Sequence, residues 1–426
     1  QSFCHLPRLL GALQTLVETA IMKIAFMGIR GIPASYSGFE TFVDQVARRL
    51  ATRGHEVTVY NRTTFVPYRG REYLGVRLVH LPTLPTKHLD SIVHTSLCCL
   101  HAFFRRYDIV YICGVGNAPL AFLPRLRHAR VLLNVDGADW QRDKWGGLAR
   151  RYLRVCERLA RASAEVIIAD ARVIQDKYKS DYQTDALFIP YGANIRRHEG
   201  CDVLDRFGLK PRRYILFVGR LVPENGAHTL LRAFARVETD MNLVIVGDAP
   251  YSDQYKASLK EIAGRRVIFT GFLFGEEYQE ISSHPYLFVL ASGVDGTRPV
   301  LLDQMAFGNA ALVRNTPANI EVVGSAGRKF EHRNDERDLA LQLQRLVDHP
   351  EEVEALRAAA IERVRTKYSW ERVTDRYELL FKLLLQNHGL SQIARRLEEE
   401  IPLEPEPVIP TSISELTAPA EVMSLG

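Results

Sequence analysis

Residues 23–31 read KIAFMGIRG, a short apolar run that ends in glycine and turn residues. The helical pattern GFETFVDQVARRLATRG (38–54) follows it. Residues 213–221, RYILFVGRL, repeat the strand-and-glycine pattern at the start of the second half of the chain. Strands that alternate with helices predict βαβ units and a parallel sheet. The fold class is therefore predicted as α/β, with two doubly wound domains that face each other across a cleft.

Further apolar and β-branched runs recur in both halves, with helical sequence between them. They lie at 56–61, 108–114, 130–137 and 164–170 in the first half, and at 241–250, 267–273, 286–292, 309–315 and 327–331 in the second. Ligands of such sheets bind outside the carboxyl ends of the strands. The cleft between the two domains is therefore the predicted ligand site.

The chain is predicted to divide into six segments. Met22 and Lys23, followed by a strand pattern, are typical of a natural start, so residues 1–21 are expected to form an extension outside the fold. The first domain is assigned to 22–195, a polar linker to 196–212, the second domain to 213–365, a further helix to 366–388 and a tail to 389–426. From Leu397 onward there are seven Glu, five Pro and no Lys or Arg, so the tail is predicted to be disordered.

The charge is concentrated in the first half, where residues 22–195 hold 25 Lys and Arg against 15 Asp and Glu. This excess favours phosphate-bearing or membrane-surface partners, although a merely solvated basic surface is an equal alternative. The six cysteines form no CxxC pair, which suits free buried thiols in a reducing, cytoplasmic compartment rather than disulfides or a metal site. The most apolar run, 91–104, is too short for a membrane span and is predicted to be a buried helix.

The stretch GIRGIPASYSGFET (28–41) leads from a strand into a helix. Gly28, Gly31 and Gly38 would let the backbone approach a ligand, and the helix N-terminus offers free N–H groups to an anion. The pattern is neither GxGxxG nor a phosphate-binding P-loop. A flexible βα turn without a ligand is the alternative.

The stretch NVDGADWQRDKWG (134–146) also closes a predicted strand. It places Asp136, Asp139, Trp140 and Arg142 at the edge where the cleft is expected. Acidic, aromatic and basic residues at one strand end favour a binding role. The alternative is a loop that packs onto the following helix.

Two stretches of the second half complete the predicted site. In FVGRLVPEN (217–225), Arg220 follows a strand, where a guanidinium could grip a phosphate with two hydrogen bonds. In GVDGTRPVLLDQMAFGN (293–309), Asp295 and Arg298 lie in a turn, and Asp303 lies one turn into the next helix. Two carboxylates at this separation could bind ribose hydroxyls and a sugar. The alternative is a helix cap with a solvated Asp.

Together these motifs make the sequence resemble the GT-B-fold glycosyltransferases of family four, a retaining group that uses nucleotide sugars. More narrowly, it resembles the bacterial rhamnosyltransferase-like branch of polysaccharide assembly. The resemblance covers roughly Met22 to Leu385 and rests on GIRGIPASYSGFET, NVDGADWQRDKW, FVGRLVPEN, VGDAP, FTGFLFGEEY, VDGTRPVLLDQMAFGN and YSWERV. It implies a Rossmann-like acceptor domain, a Rossmann-like donor domain and a C-terminal helix that crosses back to the first domain.

The resemblance also implies the site residues. The family's Glu-x7-Glu pair falls on Asp295, beside the transferred sugar, and on Asp303, at the donor ribose. The implied catalytic residues are Asp136, Arg220 and Asp295. The implied donor-binding residues are Gly31, Ser37, Gly38, Arg220, Asn225, Gly247, Asp248, Phe272, Leu273, Asp295, Gly296, Thr297, Arg298, Pro299 and Asp303. The implied acceptor-binding residues are Glu40, Asp139, Trp140 and Arg142.

The sequence departs from the family pattern at three places. Both acidic positions are Asp, the Lys that often follows the phosphate-binding Arg is Asn225, and the usual double glycine is Ser37-Gly38. We hypothesise that Arg298 supplies the missing positive charge.

The expected reaction transfers a sugar, rhamnose being one candidate, from a nucleotide-diphosphate sugar to a saccharide or lipid-linked acceptor with retention. We expect no cofactor and no metal, and we find no motif for nucleic acid. Arg151, Arg154, Arg158 and Arg161 share one helical face that could rest on the inner, anionic membrane surface, or could simply be solvated. Two other functions stay open, a nucleotide-sugar epimerase of the same fold and a non-catalytic nucleotide-sugar-binding protein.

Overall fold

A computed structural model describes residues 21–403 except 35–37, 85, 87–88, 136–145, 250–251, 294–295 and 332–334. Within these residues, eight strands form the sheet of the first domain. They are β1 (Lys23–Met27), β2 (Glu56–Arg62), β3 (Glu72–Tyr73), β4 (Val76–Leu81), β5 (Ile109–Cys113), β6 (Arg130–Val135), β7 (Val166–Ala169) and β8 (Ala186–Phe188). Their order is β3-β4-β2-β1-β5-β6-β7-β8, and all neighbours are parallel except β3 and β4.

The second domain is built on a parallel sheet, in which the structure describes six strands. They are β9 (Tyr214–Val218), β10 (Asn242–Val246), β11 (Val267–Gly271), β12 (Leu287–Leu290), β13 (Ala311–Arg314) and β14 (Gly327–Phe330). Their order is β11-β10-β9-β12-β13-β14. The strand order reverses between β9 and β12, and in the first sheet between β1 and β5, and such switch points are where doubly wound sheets bind ligands.

Helices cover the sheets and connect the two domains. They are α1 (Gly38–Thr52), α2 (Asp90–Phe103), α3 (Phe122–Arg125), α4 (Gly147–Ser163), α5 (Arg172–Tyr182), α6 (Asp202–Arg206), α7 (Ala227–Phe234), α8 (Asp253–Ile262), α9 (Gly275–Ser283), α10 (Pro299–Ala306), α11 (Pro317–Val323), α12 (Asp335–Asp348), α13 (Pro350–Lys367), α14 (Trp370–Leu385) and α15 (Leu390–Glu400). Short 3-10 segments at Val115–Ala121, Pro223–Asn225 and Gly324–Ala326 complete the described elements. The predicted two-domain α/β fold is confirmed. The run at 91–104 does form a helix, α2, but it is buried on one face only, since Leu100 is 50% exposed.

The last long helix returns to the first domain and becomes part of its core. Tyr377 of α14 packs its ring on Phe42 of α1 with 5.2 Å between the centroids. Its hydroxyl lies 3.0 Å from that of Tyr111 on β5. At the surface of the same contact, the Arg49 guanidinium of α1 donates to Glu371 of α14 at 2.6 Å. The C-terminal helix therefore crosses back, as the resemblance implied.

Two segments that connect the domains lie side by side. The Ala193 N–H donates to the Tyr368 carbonyl at 2.7 Å, and Ala193 also forms an isolated parallel bridge with Ser369. Asn194 then contacts Gln45 and Arg49 of α1 through its side chain. The two segments through which the chain passes between the domains therefore lie side by side against the first domain. We call this contact of Ala193 with Tyr368 and Ser369 the seam.

The tail prediction was wrong for residues 390–400, which form α15. Ile393 and Leu397, spaced by four residues, are fully buried on one face of this helix. Arg376 of α14 is almost fully buried beneath it and pairs with Glu398 at 2.6 Å. The prediction relied on the high Glu and Pro content from Leu397 onward and overlooked the amphipathic pattern of residues 390–400.

Residues 1–20 and 404–426 lie outside the described part of the chain. Among the described helices, none combines the length and apolar content needed to cross a bilayer.

Candidate active site

A cleft of about 2100 Å³ lies between the carboxyl ends of the two sheets, and both domains line it. At the switch point of the first sheet, Gly28 follows β1 with a φ of +88°. A Cβ at Gly28 would lie 2.4 Å from the Cys113 carbonyl oxygen at the end of β5. Glycine is therefore required at position 28, where the ends of β1 and β5 meet beside the cleft.

The turn that leads into α1 brings the first domain close to the second. A Cβ at Gly38 would lie only 2.7 Å from Cγ of Pro299, the first residue of α10. Gly38 and Pro299 both line the cleft, as predicted. Ser37, the neighbouring predicted residue, lies outside the described residues.

Two predicted residues of the same turn are not among those that line the cleft. Gly31 is buried, and a Cβ there would meet the Asn61 side chain at 2.4 Å. Glu40 is buried and accepts a hydrogen bond from the Arg30 N–H at 2.9 Å. Both residues therefore contribute to the packing and hydrogen bonding of the turn. The acceptor-binding role of Glu40 and the donor-binding role of Gly31 therefore stay predictions.

The turns after β9 and β10 form the far wall of the cleft. Arg220 is exposed and lines the cleft at the end of β9. Asn225 lines it too, and its amide donates to the Arg220 carbonyl oxygen at 2.8 Å, which fixes the turn that carries the guanidinium. Gly247 follows β10 with a φ of +133°, and a Cβ there would lie 2.0 Å from the Gly219 carbonyl oxygen. The structure brings Arg220, Asn225 and Gly247 together.

Asp248, predicted in the donor set, does not line the cleft. Its carboxylate forms an ion pair with Lys256 of α8 at 2.9 Å and accepts a hydrogen bond from the Ala249 N–H at 2.7 Å. The Lys256 hydrogen bond, supported by that backbone bond, lowers the pKa of Asp248. The side chain is thus held by Lys256, and its donor-binding role stays a prediction.

An aromatic pair forms another part of the wall, directly after β11. The rings of Phe272 and Phe274 stack with 5.6 Å between their centroids, and both are largely exposed in the cleft. Leu273 between them is buried but also lines the cleft. Phe274 was missed by the sequence analysis, although its spacing of two from Phe272 in an extended segment could have indicated it.

The turn between β12 and α10 carries the remaining predicted donor residues. Thr297 and Arg298 line the cleft. The Thr297 hydroxyl donates across the domain boundary to the Asp170 carbonyl oxygen at 2.8 Å. Gly296 has a φ of +101° and is buried, but it is not among the lining residues. Asp295 lies outside the described residues.

Asp303, one turn into α10, lines the cleft and is held by two partners. The Arg196 guanidinium pairs with it at 2.7 Å, and the Tyr278 hydroxyl donates to its other oxygen at 2.8 Å. Burial raises the pKa of Asp303, whereas the charge of Arg196 and the hydrogen bond from Tyr278 act in the opposite direction. Arg196 and Tyr278 were missed, because their sequence positions carry no sign of this contact.

The first domain adds polar groups that the sequence analysis did not select. Ser91 at the start of α2, Asn117 and Tyr152 line the cleft. The start of α2 is fixed by the ion pair of Asp90 with the buried Arg62 at 2.5 Å. The Tyr152 hydroxyl donates to the Gly116 carbonyl oxygen at 2.8 Å.

The predicted residues Asp136, Asp139, Trp140 and Arg142 lie outside the described part of the chain. Within the described part, no group of three or more His, Cys, Asp and Glu side chains could hold a metal ion. What the described geometry offers is an elongated cleft with cationic, carboxylate and aromatic groups on one wall and a glycine turn with hydroxyl and amide groups on the other.

Two family models match the chain. Residues 37–192 match the glycosyl transferase 4-like domain, and residues 212–349 match the glycosyl transferases group 1. The two matches correspond to the two domains of the structure and together cover more than half of the chain. The chain therefore belongs to the group 1, family-four-like glycosyltransferases with a GT-B fold.

Individual relatives agree with this assignment. The chain is 26% identical over 414 residues to the D-inositol 3-phosphate glycosyltransferase of Rhodococcus jostii (strain RHA1), with 84% of this chain and 88% of the relative covered. Among solved structures, sucrose-phosphate synthase from Thermosynechococcus elongatus superposes with a TM-score of 0.72 at 19% identity, over 86% of this chain and 99% of that one. Anabaena Alr3699/HepE in complex with UDP and glucose superposes with a TM-score of 0.68 at 17% identity, over 84% of this chain and 98% of that one. At these identities the structures establish the shared fold.

Proposed function

We propose that this glycosyltransferase moves a sugar from a nucleotide-diphosphate sugar to a saccharide or lipid-linked saccharide, with retention of the anomeric configuration, in cell-surface polysaccharide biosynthesis. The observation that carries the proposal is the convergence of Arg220, Arg298 and Asp303 on one cleft wall, opposite the glycine turn at Gly38. Rhamnose remains our candidate for the transferred sugar.

The diphosphate would lie between Arg220 and the start of α1. As the glycosidic bond breaks, the sugar gains positive charge and negative charge builds on the leaving diphosphate. The Arg220 and Arg298 guanidinium groups and the backbone N–H groups at the α1 N-terminus would stabilise that charge, because they are already oriented before the reaction. With Asn225 in place of a second cation, we assign the missing charge to Arg298.

The nucleoside would lie against the second domain. The exposed Phe272 and Phe274 rings offer an apolar surface to a base, and Asp303 offers carboxylate oxygens to ribose hydroxyls. Anabaena HepE was solved with UDP, with UDP-glucose and with UDP and glucose, which makes UDP the first nucleotide to test here. Asp295 and Asp136 are the residues that we propose for contact with the transferred sugar.

Retention is proposed without a metal ion or cofactor. The leaving phosphate would accept the acceptor proton, and Asp136 would support the reacting sugar rather than serve as an obligatory base. Closing the cleft around the donor would exclude water and limit hydrolysis. The cations that neutralise the diphosphate in this proposal are arginines of the chain itself.

We place the acceptor at the first domain and near a membrane surface. Leu148 is 86% exposed at the start of α4, and Val155 and Leu159 are exposed further along it. Arg151 and Arg158 are exposed on the same helix. Exposed apolar side chains interleaved with arginines suit contact with an anionic lipid surface, where a lipid-linked saccharide would be presented. A solvated basic face is the alternative outcome.

An assay with a panel of nucleotide sugars tests the proposal. We expect slow hydrolysis of one donor, and transfer with retained configuration once an acceptor is added. Formation of an epimer would instead support an epimerase, and binding without turnover would support a non-catalytic protein. The GTRPVLLD pattern (296–303) argues against the epimerase.

A further inference from the structure

The carboxylate of Asp303 is fixed by partners from two other parts of the chain. Nη2 of Arg196, in the segment between the two sheets, lies 2.7 Å from Oδ1. The hydroxyl of Tyr278, on α9, lies 2.8 Å from Oδ2. Each carboxylate oxygen has two lone pairs, so each retains one for a ligand. The two partners therefore set the plane of the carboxylate and leave one acceptor position on each oxygen.

Tyr278 is itself held by buried side chains. The amide of Gln304 contacts the Tyr278 hydroxyl at 3.2 Å and donates to the Ser282 hydroxyl at 2.9 Å. Asn309 donates to the Gln304 carbonyl oxygen at 2.8 Å. Gln304, Ser282 and Asn309 are fully buried. These hydrogen bonds among buried side chains restrict the Tyr278 side chain, so one side of Asp303 has little freedom to move.

Arg196 is fastened on the other side. Its guanidinium lies over the Phe307 ring, 4.8 Å from the centroid, and its backbone N–H donates to the Ala306 carbonyl oxygen at 3.4 Å. The side chain is partly exposed and lines the cleft. The arginine is thus anchored at the end of α10 and reaches back along that helix to Asp303.

The charge balance gives Arg196 a second effect. Burial raises the pKa of Asp303, and Arg196 and Tyr278 are the charged or titratable groups that oppose this shift among the described residues. A protonated carboxyl group would lose acceptor capacity, because one oxygen would carry a hydrogen. Removing the guanidinium would therefore extend the range of pH over which the group is protonated.

We propose that Arg196 is a positioning residue for the donor nucleotide, which orients the Asp303 carboxylate so that its two remaining acceptor positions receive the ribose hydroxyls. This role rests on the proposed function of nucleotide-sugar binding and deepens it. The ribose would then be recognised through the contact between Asp303 of the second domain and Arg196 of the segment that connects the domains.

Isothermal titration calorimetry on the full chain tests this role, with UDP, GDP, ADP and dTDP as probes. The nucleotide that binds best is then compared with its 2′,3′-dideoxy counterpart. We expect Arg196→Gln to weaken binding of the hydroxyl-bearing nucleotide about tenfold at pH 8. The loss should grow as the pH falls to 5.5, and Arg196→Lys should restore part of the affinity. For the dideoxy nucleotide, wild type and Arg196→Gln should bind with similar affinity.

Arg197→Gln is the matched control, because the adjacent arginine is exposed and pairs only weakly with the exposed Glu199 at 3.4 Å. It should bind like wild type. If Arg196→Gln weakens both nucleotides by the same factor, Arg196 acts elsewhere and the proposed role is overturned. If it weakens neither, the role is also overturned while donor binding stands. If none of the four nucleotides binds wild type, donor binding itself fails and this role fails with it.

Discussion

Gly38 and Pro299 bring the two domains into contact at the cleft, where a Cβ on the glycine would lie 2.7 Å from the proline ring. One residue begins α1 and the other begins α10, so two helix N-termini meet across the domain boundary. A larger side chain at position 38 would clash with Pro299, so this contact explains the glycine. It also suggests that the distance between the two walls depends on this one small residue.

We therefore expect Gly38→Val to hold the walls apart and to weaken binding of the donor nucleotide at least tenfold. Stability should change much less than affinity, because Pro299 lies at the cleft rather than in the core. Titration calorimetry and thermal unfolding measure the two effects. Gly264→Val is the control, because nothing lies within 4 Å of a Cβ at Gly264. Unchanged nucleotide affinity in Gly38→Val would show that the contact is dispensable.

Arg298 is expected to carry the charge that Asn225 does not supply. Arg298→Ala should weaken nucleoside diphosphate binding about tenfold to a hundredfold, and Arg220→Ala should do the same, because each removes a charge-assisted contact to the diphosphate. Binding of the corresponding nucleoside, which has no phosphate, should be unaffected. Arg213→Ala, at an exposed ion pair with Asp240, is the control. Equal losses for nucleoside and nucleotide would contradict a phosphate contact.

Glu378 should make the docking of α14 sensitive to acid. Its partners His55, Lys382 and Arg53 lower the pKa of Glu378 below the ordinary value of 4.5, and Nε2 of His55 lies 3.4 Å from its carboxylate. A carboxylate with a lowered folded-state pKa stabilises the fold fully above about pH 4.5, and this contribution is lost as the pH falls toward the folded-state pKa. We expect Glu378→Gln to reduce the free energy of unfolding by about 1–2 kcal/mol at pH 7, with a smaller difference at pH 3.

Urea denaturation between pH 3 and pH 7 measures this difference. Glu362→Gln is the matched control, because Glu362 forms an exposed pair with Arg365 and its loss should change stability by less than about 0.5 kcal/mol. A difference between wild type and Glu378→Gln that stays constant with pH would mean that the charge of Glu378 does not contribute.

The exposed face of α4 should bind anionic vesicles. Replacing Leu148 and Leu159 with Ser, or Arg151 and Arg158 with Glu, should reduce co-sedimentation with phosphatidylglycerol vesicles several-fold, because apolar insertion and charge attraction both contribute. Binding should also decrease with added salt. Leu341→Ser, at an exposed leucine of the second domain, is the control. Sedimentation that ignores both lipid charge and salt would favour a solvated helix face.

Much of the fold could be predicted because apolar strands ending in glycine recur at regular intervals. β1 and β9 show this clearly, since each is nearly fully buried and is followed by a glycine turn. The strands β3 and β4 were missed because β4 is half-exposed and pairs with a two-residue strand at the sheet edge. β8 was missed because three residues are too short to give a periodic signal.

The candidate site was predictable where a residue's role depends on its place at a strand end. Arg220, Gly247 and Arg298 lie in such turns and line the cleft. The place of Asp248 after β10 was not enough to predict its contacts, because its carboxylate pairs with Lys256 on the next helix. Arg196 could not be found either, since 107 residues separate it from Asp303 along the chain. Contacts of this kind arise only when the domains are assembled.

The seam formed by Ala193 with Tyr368 and Ser369 has a mechanical consequence. Because both covalent connections between the domains run through one place, we expect any relative movement of the domains to be a swing about this place. Residues near the seam would be displaced little by such a swing, and those at the mouth of the cleft would be displaced most. A covalent staple at the seam should therefore leave substrate entry intact, whereas one across the mouth should block it.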